Sequence, residues 1–477
     1  MKQKNKAKKQ KAHLIGICGA GMSALAVLLK ESGYEISGSD SGSYEPILSY
    51  LKKNKISFFK KYSAKNIPKR ANLIIIGKHS ELTKKNPEVR ESFRSGKKVM
   101  SLPEVLAILS REKKNIIVAG SFGKSTTTAL ISFALQKSGK NPSYFIGAVP
   151  INSSKSSHLG GGKDFVLEGD EYPSSNWDKQ SKFLHLSPFS VLLISTEHDH
   201  VNIFPTHASY KAPYRKLMAK IPAEGLLVYS YEDKGAREVA KYAKCKKVSY
   251  SLHNKKSNWY TKNIKYGAET SFDLMRKNKK IAQITTPLLG NHNIENIVGA
   301  GAMLLEEKKI TPRDFTKAVK IFRGLKRRLE LLNPGSAIPV YEGFGSSYEK
   351  TRSVFDALRL HFPKKRIVTI FEPQTFSWRN KGAKKWYKNI FDTSERVVIL
   401  PPSKHGKKTH DQMSFSQIIQ EVKKNHNEVY RASNEKEALS LLKKLTKKND
   451  IIVLVSSGSL LGLSTSVPKL MEKLFPR

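Results

Sequence analysis

Short, continuously apolar runs recur along the chain: "NLIIIG", "NIIVAG", "FSVLLIST", "RIVTIFEP", "ERVVILPP" and "DIIVLVSS". Runs that are apolar on both faces suit strands covered from two sides, and helix-like patterns lie between them. The alternation predicts an α/β protein with parallel sheets. No segment repeats at a fixed period, and the runs are far too short to span a bilayer. Two polar breaks divide the pattern. One is "SREKKN" at 110–115, and the other is the charged "RGLKRRLELLNPGSAIPV", where Pro334 and Gly335 precede a new strand. They predict three domains, at 1–111 with a basic tail over 1–12, at 112–327 and at 328–477;.

The stretch "NIIVAGSFGKSTTTALISFAL", residues 115–135, carries the first chemistry. An apolar strand runs into a Gly-Ser-Phe-Gly-Lys-Ser turn, and a helix follows. Gly120 and Gly123 let backbone N–H groups face phosphates. Lys124 supplies a point charge, and the Ser125 hydroxyl suits a magnesium position. Thr126, Thr127 and Thr128 suit a helix N-terminus better than a helix interior. The frame is shorter than the common P-loop, because Val118 stands where that loop has its first glycine.

A second glycine turn lies near the start, in "HLIGICGAGMSALAVLLKESGYEISGSD". Gly16, Gly19 and Gly21 sit between a predicted strand and a helix. Asp40 ends the next strand, the place of a ribose carboxylate in a dinucleotide fold. The basic "MKQKNKAKKQKAH" ahead of it is read as a frayed tail rather than the n-region of a secretory signal, and the expected compartment is the cytoplasm. Further along, "FVLEGDEYPSSNWDKQSKF" gathers Glu168, Asp170 and Glu171 after a strand, where oxygen ligands suit a hard cation. "VLLISTEHDHVNIF" ends another strand with His198 and His200, which alternation puts on one side if the extended form continues. Asn293 and Asn296, one helical turn apart, can read an adenine edge or cap their helix. Arg327 and Arg328 fall at the second domain junction, where an arginine can clamp phosphates.

Composition changes this picture little. The 85 Lys and Arg against 40 Asp and Glu give a net charge of +45, a field that attracts anions;. The lysines are spread along the whole chain, and no aromatic RNA-binding signature accompanies them, so nucleic acid is not an expected partner. Two cysteines, Cys18 and Cys245, make no disulfide framework and fit a reducing compartment;.

Taken in order, these pieces resemble the Mur ligases, the ATP-dependent amide-forming enzymes of peptidoglycan synthesis, whose phosphate loop has the short GxxGK[ST] frame. The resemblance covers nearly the whole chain. "GICGAGMSALA" is similar to the UDP-binding turn of the branch that adds L-alanine to UDP-N-acetylmuramate. "EGDEY" followed by "DKQSKF", with "FEP" at 371–373 and "SSGSLLG" near the C-terminus, is similar to a second branch. That branch joins a recycled tripeptide, L-alanyl-γ-D-glutamyl-meso-diaminopimelate, to UDP-N-acetylmuramate. The resemblance implies a Rossmann-like N-terminal domain, a central P-loop ATPase-like domain and a Rossmann-like C-terminal domain. It implies ATP and Mg2+ as cofactors, with UDP-N-acetylmuramate and a peptide or amino-acid acceptor as partners. ATP falls to Gly120, Ser121, Gly123, Lys124, Ser125 and Thr126, with Asn293 and Asn296 at the adenine. Magnesium falls to Ser125, Glu168 and His200, and the γ-phosphate to Arg328. The UDP-sugar falls to Gly16, Gly19, Gly21, Met22 and Asp40.

The chain also departs from the family pattern. Phe122 replaces a histidine in the loop, Ser195 an asparagine, and Asn202 an aspartate. Gln374 stands in place of an arginine. Where the family has two aspartates followed by His-His-Pro, "VYEGFGSSYEK" keeps only Glu342. Gly343 replaces the second acid, and Ser346 and Ser347 replace the histidines. Two readings follow: a ligase with a changed or tolerated amine acceptor, and a homologue that binds nucleotide or UDP-sugar but ligates poorly.

Overall fold

The computed structural model describes residues 10–42, 45, 47–153, 155–200, 203–402 and 411–477. They form two compact units, one reaching residue 322 and the other holding 323–477 with the short segments 265–270 and 287–291.

The first unit contains two sheets. Strands β1 (Lys11–Ile15), β2 (Glu35–Ser39), β3 (Leu73–Ile76) and β4 (Lys98–Ser101) pair in parallel, in the order β2-β1-β3-β4. The apolar run after the basic tail is therefore a central strand. It begins at Lys11, inside the stretch read as tail, because the Lys11 N–H donates to Asn72 Oδ1 and its ammonium pairs with Glu35. The larger sheet holds β5 (Lys114–Ala119), β6 (Ser143–Phe145), β7 (Ser157–His158), β8 (Asp164–Gly169), β9 (Ser190–Leu193), β10 (Leu226–Ser230), β11 (Lys246–Tyr250), β12 (Trp259–Lys265), β13 (Thr270–Arg276) and β14 (Lys279–Thr286). Its order is β14-β13-β12-β11-β10-β9-β5-β8-β6-β7. β5 lies between β8 and β9, parallel to both. Ile116, Ile117, Val118 and Ala119 are buried on both faces, the reason that the run is apolar without alternation;.

The second unit is built on β15 (Arg328–Leu331), β16 (Val340–Phe344), β17 (Ile367–Phe371), β18 (Arg396–Ile399), β19 (Val429–Arg431) and β20 (Ile451–Ser456), in the order β15-β16-β20-β17-β18-β19. All neighbours are parallel except β15 against β16. The charged stretch read as a domain junction thus contains an edge strand of its own, where alternating charges are tolerated because one side faces water. The three-sheet α/β architecture agrees with the expectation from sequence. Among the described residues, no helix is long and apolar enough to cross a membrane.

Candidate active site

β5 delivers the glycine loop at 120–123, and the next helix, Lys124–Lys137, begins at once. Gly120 has φ +142°, and a Cβ there would lie 2.8 Å from the Ser195 backbone nitrogen. Gly123 has φ +77°, and a Cβ there would meet Asn296 Oδ1 at 2.5 Å. Only glycine satisfies both positions. Gly123 is the N-cap residue, and no side chain caps this helix, so its first N–H groups stay open toward an anion;. The loop is fixed from outside by the segment that follows β9, because the Ser121 N–H donates to the Ser195 carbonyl at 3.0 Å.

The acids at the end of β8 and just beyond it come to this loop. Ser125 Oγ donates to Glu168 Oε1 at 2.8 Å, and the Gly147 N–H donates to Glu168 Oε2 at 2.6 Å. Lys124 Nζ donates to the Gly120 carbonyl and to Glu171 Oε2, the latter at 2.9 Å. Asp170 pairs with Lys182 at 2.6 Å. Desolvation raises the Glu168 pKa above the ordinary carboxylate range, and the Gly147 N–H and Lys124 only partly offset it. Burial alone would also raise Asp170, but Lys182 and then Lys124 outweigh it and pull the group down to about 2. Burial disfavours the Lys124 ammonium, yet Glu171, Asp170 and Glu168 outweigh it and hold the lysine charged.

The glycine turn after β1 is built as expected. Gly16 has φ +82°, and Gly19 is the N-cap residue of the helix Ala20–Glu31, again without a side-chain cap. Asp40 is turned back onto this turn, where its carboxylate accepts the Cys18 N–H at 2.8 Å and the Gly42 N–H at 3.0 Å. Met22 packs beneath Gly77, whose Cβ would lie 3.1 Å from its side chain. A cavity of about 260 Å³ lies between the start of the helix Ala20–Glu31 and the acids Glu168 and Asp170. Ala20 and Gly21 line one side, Glu168 and Lys182 line the other, and Leu102 and Phe145 supply apolar wall.

The two histidines do not share a side. The chain turns at His200, φ +54°, so the strand alternation expected from sequence stops there. His198 Nε2 bonds the Phe204 carbonyl at 2.6 Å, and its ring stacks on His207. His200 Nε2 lies 3.4 Å from Glu171 Oε1, and this contact is the main cause of its raised pKa. Of the expected magnesium set, Ser125 and Glu168 are therefore adjacent, while His200 is turned to Glu171. Among the described residues, no three His, Cys, Asp or Glu side chains gather as a metal-holding group. Asn293 and Asn296 are both buried in the first turns of the helix Asn291–Glu306, and Asn296 abuts Gly123. Thr126 lies in the first turn after the loop.

In the second unit, Arg327, at φ +62°, donates to Glu342 Oε1 at 2.8 Å and to the Ser456 and Gly458 carbonyls. Arg328 is exposed, and its guanidinium lies 5.2 Å from the centre of the Phe344 ring.

Residues 11–114 match the model described as "Mur ligase family, catalytic domain", and residues 118–304 match the "Mur ligase middle domain". A UDP-N-acetylmuramate–L-alanine ligase of Alkaliphilus metalliredigens is 30% identical over 391 residues, covering 81% of this chain and 82% of that protein. The chain belongs to the Mur ligase family. The UDP-N-acetylmuramate–L-alanyl-γ-D-glutamyl-meso-2,6-diaminoheptandioate ligase of Escherichia coli is 28% identical over 82% of this chain and 85% of its own length. The solved UDP-N-acetylmuramate–alanine ligase of Thermotoga maritima has the same fold, with a TM-score of 0.77 at 21% identity over 97% of this chain and 99% of that one.

As a Mur ligase, the protein is an ATP-dependent ligase of the class that forms carbon–nitrogen bonds. Its relatives act on UDP-N-acetylmuramate, according to their names. The departures from the family pattern have local causes in this Mur ligase. A Cβ on Gly343 would lie 2.7 Å from Val354, so the second acid has no room. Ser347 caps the helix Tyr348–His361, and the Ser346 carbonyl accepts from Thr375 Oγ1 at 2.9 Å. Ser195 Oγ donates to Asp233 at 3.0 Å, and the Phe122 ring is exposed. Asn202 lies outside the described residues. Sequence reasoning grouped Glu171 with the other acids without matching it to Lys124. It did not find Tyr210, although Tyr210 and Tyr214 share one helix face, a spacing visible in the sequence.

Proposed function

We propose that this Mur ligase joins a peptide, L-alanyl-γ-D-glutamyl-meso-diaminopimelate, to UDP-N-acetylmuramate through an acyl phosphate, in the cytoplasm. The supporting observation is the cavity. Gly21 of the turn assigned to the UDP-sugar and Glu168, assigned to magnesium, line the same space, so a sugar carboxylate and a metal-held γ-phosphate could meet there. The reading assigns the UDP-sugar to 1–111, ATP to 112–327 and the incoming peptide to 328–477, which agrees with three separate sheets.

In this reading, the N–H groups of the loop and the open helix N-terminus hold the phosphates, and Lys124 neutralises charge on the transferred group. Ser125 and Glu168 are adjacent hard oxygen donors and fit a magnesium ion that takes one or two protein oxygens plus phosphate oxygens;. Bound there, the ion would screen phosphate charge. His200 acts on Glu171, and through it on Lys124, unless it turns toward the metal when nucleotide arrives. The muramoyl carboxylate attacks the γ-phosphorus and ADP leaves. The peptide amine then attacks the acyl carbon, the tetrahedral adduct expels phosphate, and the amine proton passes to solvent or a nearby base. Asn293 and Asn296 are assigned to the adenine and Arg328 to the γ-phosphate. Gly16, Gly19, Met22 and Asp40 shape the sugar-nucleotide turn.

A second reading, a homologue that binds both nucleotides but ligates poorly, draws on Glu342 already paired with Arg327 and on the filled space at Gly343. Phosphate release from ATP with magnesium and UDP-N-acetylmuramate, with and without the tripeptide, separates the two. Tripeptide-dependent release and a UDP-muramoyl-tripeptide mass support the ligase. Release with L-alanine alone moves the assignment to the alanine-adding reaction, and binding of both nucleotides without release supports the second reading.

A further inference from the structure

Tyr210 has no exposed surface, and its hydroxyl lies between the two parts of the phosphate site. It stands 2.8 Å from Ser121 Oγ, 3.3 Å from Glu171 Oε1 and 3.2 Å from Tyr214 Oη. Ser121 is in the loop itself; its one hydroxyl proton is shared between the Glu197 carbonyl and the Tyr210 oxygen, which leaves the Tyr210 proton for Glu171. Glu171 is wholly buried, and its second oxygen holds Lys124 at 2.9 Å. One hydroxyl therefore touches both the loop that would wrap the phosphates and the carboxylate that holds the loop's lysine.

A lysine stem is flexible, and its ammonium has three rotatable donors. A carboxylate fixes such a group only if the carboxylate is itself fixed. A buried carboxylate needs donors at both oxygens, and each one lost leaves a desolvated acceptor unpaired. Oε1 accepts from the Tyr210 hydroxyl at 3.3 Å and faces His200 Nε2 at 3.4 Å. Burial, then the charge of Glu171, pushes both tyrosine pKa values far above the ordinary phenol range, so both hydroxyls remain neutral donors at working pH.

We infer that Tyr210 is a positioning residue for the phosphate site: by bonding Ser121 and Glu171 together, it sets where the Lys124 ammonium rests. The inference depends on the proposed contact between Lys124 and the ATP phosphates. Tyr210→Phe keeps the ring, which packs against Phe204 with centroids 5.3 Å apart, and removes only the hydroxyl. Loss of a hydrogen bond to a charged group predicts ATP binding weakened about tenfold. Affinity for UDP-N-acetylmuramate should not change, because none of its assigned residues touches Tyr210.

The test is calorimetric binding of magnesium-ATP and, separately, of UDP-N-acetylmuramate to the full-length Tyr210→Phe, Lys124→Ala and Glu171→Gln proteins. A selective loss of ATP affinity in Tyr210→Phe that nearly vanishes in the Glu171→Gln background supports the inference. Wild-type ATP affinity in Tyr210→Phe, with Lys124→Ala unable to bind, overturns the inference alone. Full ATP binding by Lys124→Ala overturns the underlying reading as well. Equal loss for both ligands indicates a merely structural role and also overturns the inference. Should Tyr210→Phe not fold, Ser121→Ala removes the other end of the contact, and undiminished ATP affinity there is the overturning result.

Discussion

The phosphate loop after β5 and the turn after β16 are the same device built to opposite ends. Each leads from a parallel strand through glycines and serines into a fourteen-residue helix. At Lys124–Lys137 the helix start is left without a side-chain cap, with Lys124 bonded to Glu171 and Ser125 to Glu168. At Tyr348–His361 the helix start is closed by Ser347, Glu342 is locked to Arg327, and the place of a second acid is filled by Val354. A helix N-terminus binds an external group only while its own chain leaves those N–H groups unsatisfied. The contrast teaches that one Mur ligase can leave one helix start open while the matching start in its second unit is satisfied by its own chain.

The strongest way to break the comparison is at the open turn. Lys124→Ala should lower ATP turnover by about 100-fold or more, read as phosphate release, since transition-state charge loses its cation. Turnover near wild type would mean that the open turn is not a phosphate site.

At the closed turn, Arg327→Ala should leave buried Glu342 without its partner. Because Arg327 is partly exposed, a discounted cost of about 2 kcal/mol is expected in denaturant unfolding;. No change in stability would show that Glu342 is not locked. Gly343→Asp, which restores the missing acid, should lose about 1–3 kcal/mol by overpacking against Val354;. Adding Val354→Ala should recover part of that loss. If Gly343→Asp alone raises activity without a stability cost, the filled space does not explain the missing acid.

The smallest effect is one of pH, and it should have opposite signs in the two regions. The contact with Glu171 raises the His200 pKa above its ordinary 6.5. That stabilisation is complete below the ordinary value and is lost as pH rises through the folded value. Burial lowers the pKa of His361, whose Nδ1–H donates to the Gly267 carbonyl and whose Nε2 accepts the Gly290 N–H, each at 2.8 Å. A protonated ring cannot accept that N–H, so this stabilisation is complete above the ordinary value and is lost as pH falls through the folded value. Thermal melts between pH 5 and 8 should show shifts of a few degrees or less. The acid-side loss should flatten in His361→Gln and the alkaline-side loss in His200→Gln. Identical pH curves for both variants would refute the opposed signs.

Much of the site was legible because its demands are local. Glycine spacing, a preceding apolar run and a following helix pattern specify a strand-turn-helix within a dozen residues, and the turns at Gly16 and Gly120 formed where expected. The histidine pair was misjudged because alternation holds only while the backbone stays extended, and His200 turns to positive φ. The charged stretch at 328–331 was not read as a strand, since an edge strand can expose charges that would exclude a central one;.

By itself, then, the sequence determined the backbone chemistry: where the chain must turn, which strands are buried on both faces and where N–H groups cluster. Only the tertiary structure decided the partners. Lys124 meets Glu171 across 47 positions and Arg327 meets the Gly458 carbonyl across 131, because sheet order and not sequence distance brings those strand ends together. A turn is fixed by steric limits on a few neighbouring dihedrals, which the residues announce. A charge pair is fixed by which elements pack side by side, and that depends on the burial of the whole core.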